Sequence, residues 1–329
     1  MSEERPKVAV VVGGESGEHA VSLMSGAEVA VGIDPTRWDP FLVRIERDGA
    51  WCFLRGLDVK GLAERLSVAD GIKRLLRLEP DVVFPVMHGP YGEDGRFQSL
   101  LELLHLPYVG SPPGASSLAM NKARARDVLT CAGHVVARGE ELRRGEHGAI
   151  EAPCVVKPMR LGSSVGLMVV KTQEALNRAL MDAFEYDDRV LVESFVAGIE
   201  LTAGVLESAN GDLEALPLIE IRPLTREFFD YEAKYTPGAT DEICPAPVSD
   251  AVRNAVQALA LSAHNALGCR GMSRTDFIVR EDGTPVTIET NTIPGMTQTS
   301  LLPQAAAEAG ISFTELLDRL LERALNPER

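Results

Sequence analysis

Between Gly271 and Gly295 the chain reads GMSRTDFIVREDGTPVTIETNTIPG, and four of its polar residues recur at a spacing that would gather them into one group. Asp282-Gly283 is a pair that readily adopts the positive φ angles of a tight hairpin, with a strand expected on each side. A two-residue turn pairs Glu281 with Thr284, which sets Asp276 opposite Glu289 and Arg274 opposite Asn291. Strand side chains alternate, so these four share one face. Thr275, Phe277, Ile288 and Thr290 take the other face, a mostly apolar set suited to packing.

Two carboxylates placed opposite one another repel. At about 5 Å and an effective dielectric near 20 the cost is roughly 3 kcal/mol. Arg274 alone leaves Glu289 and Asn291 without a purpose. Asp276, Glu289 and Asn291 form an all-oxygen donor set, which suits a magnesium ion holding phosphate oxygens. A solvated charged hairpin is the plainer alternative. It does not account for the Pro-Gly turn of NTIPGM directly after the donors, so the metal reading is preferred.

The elements that must carry this group are set by the chain as a whole. With 329 residues there is room for two or three domains and a substantial core. The net charge of −15, with no basic block against it, argues against a nucleic-acid binder. The N-terminus MSEERPKVAVVVGG has too short an apolar run for a signal peptide, and no later run is long enough to span a membrane. A cytoplasmic protein is expected. Cys52, Cys131, Cys154, Cys244 and Cys269 are widely spaced with no C-x-x-C pair, the usage of reduced thiols.

Lys7 to Val12 is a continuous apolar run, the pattern of a buried parallel strand, and GGESGEHAVS leads from it into a helix near Ala20. Ligands of open α/β sheets bind at such strand ends, so Glu18 and His19 are candidates, although a glutamate there also suits a helix start. Strands are expected at Pro40–Ile45 and Asp81–Met87. The second ends in HGPYGEDG, which makes His88 a candidate at the same kind of location. This βαβα pattern describes a small parallel-sheet domain closing near Asn121, after a SPPGASS loop. A short basic helix follows from Asn121 to Ala132. The strand PCVVKP carries Lys157 into RLGSSVG, a glycine-rich flap whose backbone N–H groups and serine hydroxyls suit phosphates. It is not a Walker A loop, because the lysine precedes the glycines. Strands at 189–195, 200–207 and 213–222 come next, with Glu193 and Glu200 flanking a hinge at Gly198. The stretch 223–247 has no clear periodicity but is rich in aromatics, as a lid would be. Helices at Ser249–Leu267 and from the SFTE capping box at Ser312 and Glu315 are architecture.

GGESGEHAVS, HGPYGEDG, VKPMRLGSSVG, FFDYEAKY, GMSRTDF and ETNTIPGMTQTSL occur in that order across nearly the whole chain. Each is weak alone; the ordered series closely resembles the D-alanine–D-alanine ligases, an ATP-grasp family. The resemblance implies an α/β ATP-grasp fold: an N-terminal parallel-sheet domain over 1–121, then a two-part ATP-grasp module over 122–197 and 198–329 with a lid at 223–247. It implies that ATP phosphorylates one D-alanine and that the amine of a second attacks the acyl phosphate, giving a dipeptide for peptidoglycan precursors. Lys122 and Lys157 match the family's lysines on the α- and β-phosphates, and Lys234 the one at the γ-phosphate. Ser164 joins them as an ATP contact in the flap. Glu193 and Glu200 match adenine and ribose contacts. Asp276, Glu289 and Asn291 match ligands of two magnesium ions, for which manganese could substitute. Arg274 and the backbone N–H of Gly295 match the oxyanion site, worth about 3–4 kcal/mol per donor in comparable enzymes. Glu18 matches the group on the first substrate's ammonium, with Ser163 and Tyr235 as its hydrogen-bonded partners. Ser300 and Leu301 match the site for the second substrate's carboxylate, and His88 a substrate-side histidine. The partners implied are D-alanine, ATP and a second copy of the chain in a homodimer, with neither nucleic acid nor membrane.

The family usually has a lysine after the residue matching Glu193; here Ser194 stands there, so one base contact differs. A D-alanine–D-lactate ligase of the same fold is the nearest rival, disfavoured because such enzymes generally lack the lid that carries Tyr231 and Tyr235. Another ATP-grasp carboxylate–amine ligase is disfavoured by HGPYGEDG and GESGEHAVS, which resemble the amino-acid pocket.

Overall fold

The computed structural model describes residues 5–160, 166–223 and 240–326. Three sheets organise them. The first contains β1 (Lys7–Gly13), β2 (Asp39–Ile45), β3 (Trp51–Phe53), β4 (Arg65–Leu66) and β5 (Val82–Pro85), in the order β4-β3-β2-β1-β5. β1 runs parallel to both β2 and β5, as its unbroken apolar sequence demands, and β3 and β4 extend the edge antiparallel. Helices α1 (His19–Gly32), α2 (Val68–Leu78), α3 (Arg96–Leu103) and α4 (Pro113–Met120) accompany it. The segment expected as a SPPGASS loop is thus largely α4, started by Pro113, which has the right φ for a first helical turn.

The second sheet follows α5 (Lys122–Cys131). It orders β6 (Gly139–Arg143), β9 (Arg189–Ser194), β7 (Cys154–Pro158) and β8 (Met168–Val170), all antiparallel, with α6 (Gln173–Ala183) packed on it. The third holds β10 (Ile199–Glu207), β11 (Leu213–Ala215), β12 (Ile219–Pro223), β13 (Thr240–Ile243), β14 (Met272–Val279) and β15 (Pro285–Asn291). Its order is β13-β12-β10-β14-β15, and β11 also pairs with β10. The single strand expected over 213–222 is broken in two, because Pro217 has no N–H for the ladder. The end of the expected lid is strand β13, paired with β12, so only 224–239 of that stretch lie outside the described residues.

Alternation in β1 decides how the sheets meet. Val8, Val10 and Val12 enter one core with Leu42 and Phe84, and it also contains Leu316, Leu317, Leu320 and Leu321 of the last helix. Ala9, Val11, Val43 and Val83 face Leu75, Phe97 and Leu101 of α2 and α3. After α7 (Asp250–Leu267) and α8 (Leu301–Glu308), the closing helix α9 (Phe313–Leu325) thus returns to the first sheet. Each fully buried leucine there contributes about 1.5–3 kcal/mol relative to exposure. Among the described residues no helix is long and apolar enough to cross a membrane.

Candidate active site

The β14–β15 hairpin reaches the expected pairing at its charged end by a different route. Arg280 N–H donates to Thr284 O (3.0 Å) and Gly283 N–H to Arg280 O (2.9 Å), so the turn has three residues rather than two. Phe277 then pairs with Thr287, one position away from the two-residue expectation. Ile288 is the extra residue of a bulge, and beyond it Asp276 faces Glu289 and Arg274 faces Asn291. The bulge also moves Ile288 off the face assigned to it above. It packs with Ile278, Val286, Ala137 and Val196, whereas Phe277 lies with Leu201 and Val256.

Neither carboxylate is left to repel the other. Arg274 grips Asp276 with Nε and Nη2, each at 2.9 Å, and Thr202 Oγ1 donates to the same carboxylate at 2.6 Å. Asn291 Nδ2 adds a bond of 3.3 Å. Glu289 lies 3.7 Å from Lys122 Nζ at the start of α5, whose cap Asn121 accepts from Arg124 N–H. Among the described residues no three His, Cys, Asp or Glu side chains gather as a complete metal cage. The donor set therefore fits a cation that takes two carboxylates and an amide from the protein and its remaining oxygens from phosphate and water. That is magnesium's habit.

Lys157 Nζ bonds Glu193 at 2.7 Å, and the two side chains are only 8% and 9% exposed. Burial works against the lysine's charge, yet Glu193, Glu289 and Glu200 together hold it above the ordinary lysine range. Lys157 thus stands between the hinge glutamates and the charged end of the hairpin.

The first sheet supplies the third wall. Glu18 is the residue before α1 and makes no side-chain capping bond to it. Its N–H donates to Ser16 Oγ (3.2 Å), and Ser16 Oγ donates to His88 O (2.6 Å). The carboxylate lies over Gly89: a Cβ there would stand 2.5 Å from Oε2, and φ is +73°. His19 instead contacts Gly14 O through Nδ1 (2.7 Å) and is structural. His88 Nε2 lies 3.3 Å from Ser25 Oγ, which also accepts from Met296 N–H at 3.4 Å. Burial drives the His88 pKa from 6.5 down to about 4; Arg274 adds to this and a bond with the Ile293 backbone opposes it. The imidazole is neutral near pH 7.

Gly295 and Ser300 are in contact, since a Cβ on Gly295 would fall 2.8 Å from Ser300 Oγ. Ser300 also bonds Thr297 Oγ1 (2.8 Å) and stands before Leu301, the first residue of α8. Ser163, Ser164, Lys234 and Tyr235 lie outside the described residues.

Sequence reasoning missed Glu93, although HGPYGEDG contains it. Burial pushes it up to about 8, assisted by the charge of Glu18 and opposed by Lys122. With Lys122, Glu289 and Asn291 it lines a narrow cavity of about 20 Å³. Thr202 was missed as well; its one signal is the β10–β14 register, which sets it beside Asp276. Two lysines, an oxygen donor set, an arginine fork and a buried carboxylate thus converge from three sheets. Such a group can hold a polyphosphate, an ammonium and a developing oxyanion together.

Residues 7–111 match the family model for the D-ala D-ala ligase N-terminus, and residues 124–322 that for the D-ala D-ala ligase C-terminus. A D-alanine–D-alanine ligase from Syntrophobacter fumaroxidans is 46% identical over 333 aligned residues, covering 99% of each chain. Among solved structures, the VanG D-Ala:D-Ser ligase of Enterococcus faecalis superposes with a TM-score of 0.82 at 31% identity, over 98% of this chain and 100% of that one. The D-alanine–D-alanine ligase of Bacillus anthracis, solved with ATP, gives 0.78 at 30% identity over 97% of both.

Proposed function

The chain belongs to the D-alanine–D-alanine ligase family, and we propose that it uses ATP to join two D-alanines into D-alanyl-D-alanine, a peptidoglycan precursor. The observation that carries this is the meeting of Glu18 and His88 with the Arg274–Asp276–Glu289 group, which sets an amino-acid pocket against a phosphate site.

Each residue then has a task. ATP lies between the units 122–197 and 198–329, with Lys122 and Lys157 on its α- and β-phosphates and Lys234 at the γ-phosphate. Glu193 takes the adenine amino group, Glu200 the ribose, and Ser164 of the flap a phosphate. Asp276, Glu289 and Asn291 would hold magnesium, which neutralises the phosphate oxygens when bound. Glu18 holds the ammonium of the first D-alanine, supported by Ser163 and Tyr235, and so points the carboxylate at the γ-phosphorus. A carboxylate oxygen attacks, the bond to ADP breaks, and an acyl phosphate forms. The second D-alanine docks its carboxylate on Ser300 and the free N–H groups at the start of α8, where an anion is favoured. Its amine attacks the carbonyl carbon, Arg274 and Gly295 N–H bind the resulting oxyanion, and phosphate leaves.

The 1–121 unit is the amino-acid side of this assembly. The reading also places the reaction in the cytoplasm, where ATP is available, and takes the enzyme as a homodimer. Met24 and Val31, exposed on α1, offer apolar surface for the second copy. The test is phosphate release from ATP and magnesium with D-alanine, L-alanine, D-alanine plus D-serine, and D-alanine plus D-lactate. D-alanine alone should suffice, and the dipeptide should match phosphate mole for mole. Equal release with L-alanine, or a requirement for D-serine or D-lactate, would contradict the proposal.

A further inference from the structure

Arg126 lies one helical turn beyond Lys122 on α5, about 6 Å along the axis. Among the described residues its guanidinium makes no hydrogen bond or ion pair, and Nη1 is buried without a partner. An arginine left in that condition is costly, because the desolvation of a charged donor goes uncompensated. Its position is defined by Gly139 on β6. A Cβ built there would lie 1.7 Å from Arg126 Nη1, 2.9 Å from its Cζ and 3.0 Å from Glu193 Cγ. Gly139 is also the strand partner of Glu193, so the two positions share a face. The guanidinium therefore occupies the space that a side chain at 139 would fill, against the stem of Glu193.

Glu193 is already engaged, by Lys157 at 2.7 Å. The proposed function asks Lys157 to turn to the phosphates. That would strip a buried carboxylate of its counter-charge as ATP enters, a step that costs several kcal/mol when nothing replaces the cation. The structure holds the replacement ready. We infer that Arg126 is a positioning residue which takes over Glu193 when nucleotide draws Lys157 away, and so keeps the carboxylate charged and aimed at the adenine amino group. The uncommitted guanidinium is the reserve half of this exchange. Gly139 is glycine because any side chain there would displace it.

This inference rests on the assignment of the Glu193 end to the nucleotide, and the experiment separates the two. Affinity for ADP is measured by calorimetry on the full-length protein, with apo melting temperature as the folding control. Wild type should bind ADP; if it does not, the nucleotide assignment itself fails. Arg126→Gln should weaken ADP about tenfold, the scale of one lost charge-assisted hydrogen bond, with apo melting unchanged. Arg126→Lys should recover most of the loss. In turnover, KM for ATP should rise while kcat and KM for D-alanine hold. Gly139→Ala, which evicts the guanidinium without removing its charge, should imitate Arg126→Gln. In a Glu193→Gln background the Arg126 substitution should cost little more. Unchanged ADP affinity in both Arg126→Gln and Gly139→Ala overturns the inference. So does a full tenfold loss persisting in Glu193→Gln, since Arg126 would then act on the nucleotide itself.

Discussion

Asp276 faces Glu289 across two neighbouring strands, yet each carboxylate has its own cation: the Arg274 fork for one, Lys122 for the other. The pairing divides the work at this spot. Arg274 is locked on a rigid strand by Asp276, and Glu289 stays coupled to a lysine on a different element.

Arg274→Lys should retain the fold but lose the planar fork, because an ammonium cannot make two parallel bonds to one carboxylate. We expect kcat to fall about 100-fold, the typical effect of removing an oxyanion donor, with KM for ATP little changed. Steady-state kinetics decide it.

Lys157→Met takes away the cation bonded to buried Glu193; with Arg126 able to replace it, the cost in unfolding free energy should stay below the about 3–5 kcal/mol of a wholly unpaired buried charge. Adding Glu193→Leu should return most of that stability while nucleotide binding stays lost. Urea denaturation of both variants checks this, and equal instability of single and double variants would contradict it.

Gly89→Ala introduces a Cβ 2.5 Å from Glu18 Oε2 at a residue with φ of +73°. The αL strain is about 1–2 kcal/mol. The displaced carboxylate should raise KM for D-alanine about tenfold or more, with KM for ATP held.

His88 and His264 are both buried, and burial lowers each from 6.5 to about 4. Between those values the unfolded chain binds protons that the folded chain refuses. Stability should therefore fall as pH drops from about 6.5 to about 4 and be flat in these groups above that window. His264→Asn, whose amide can still meet Ser273, should flatten the slope in urea midpoints. An unchanged slope would assign the acid loss elsewhere.

The hairpin shows why its charged face was legible while its turn was not. Alternation places Arg274, Asp276, Glu289 and Asn291 on one face whatever the turn length, but a single strand carries no mark of a bulge. The three-residue turn and the bulge at Ile288 shift the register in opposite senses, so the pairing at Asp276 survived an error at Glu281. Ile288 was misplaced because only the bulge re-aims it.

Residues whose role depends on tertiary neighbours left no signal. Arg126 looks like one more cation of a solvated helix until Gly139 is brought beneath it. Ser25 meets His88, 63 positions away, and Met296, 271 positions away, distances no local pattern spans. Glu93 lies in a motif that pointed to the pocket, but its raised pKa comes first from burial and then from Glu18 on a different loop, both tertiary effects. The Pro217 break, by contrast, was present in the sequence, and a proline inside an expected strand ought to have divided it.

The proposed reaction runs through an acyl phosphate of the first D-alanine. D-Alanine labelled with heavy oxygen in its carboxylate, turned over with unlabelled ATP and magnesium, reports on this. Released phosphate should carry one heavy oxygen for every dipeptide made, because the attacking carboxylate oxygen leaves on phosphorus. Unlabelled phosphate accompanying dipeptide synthesis would contradict the account.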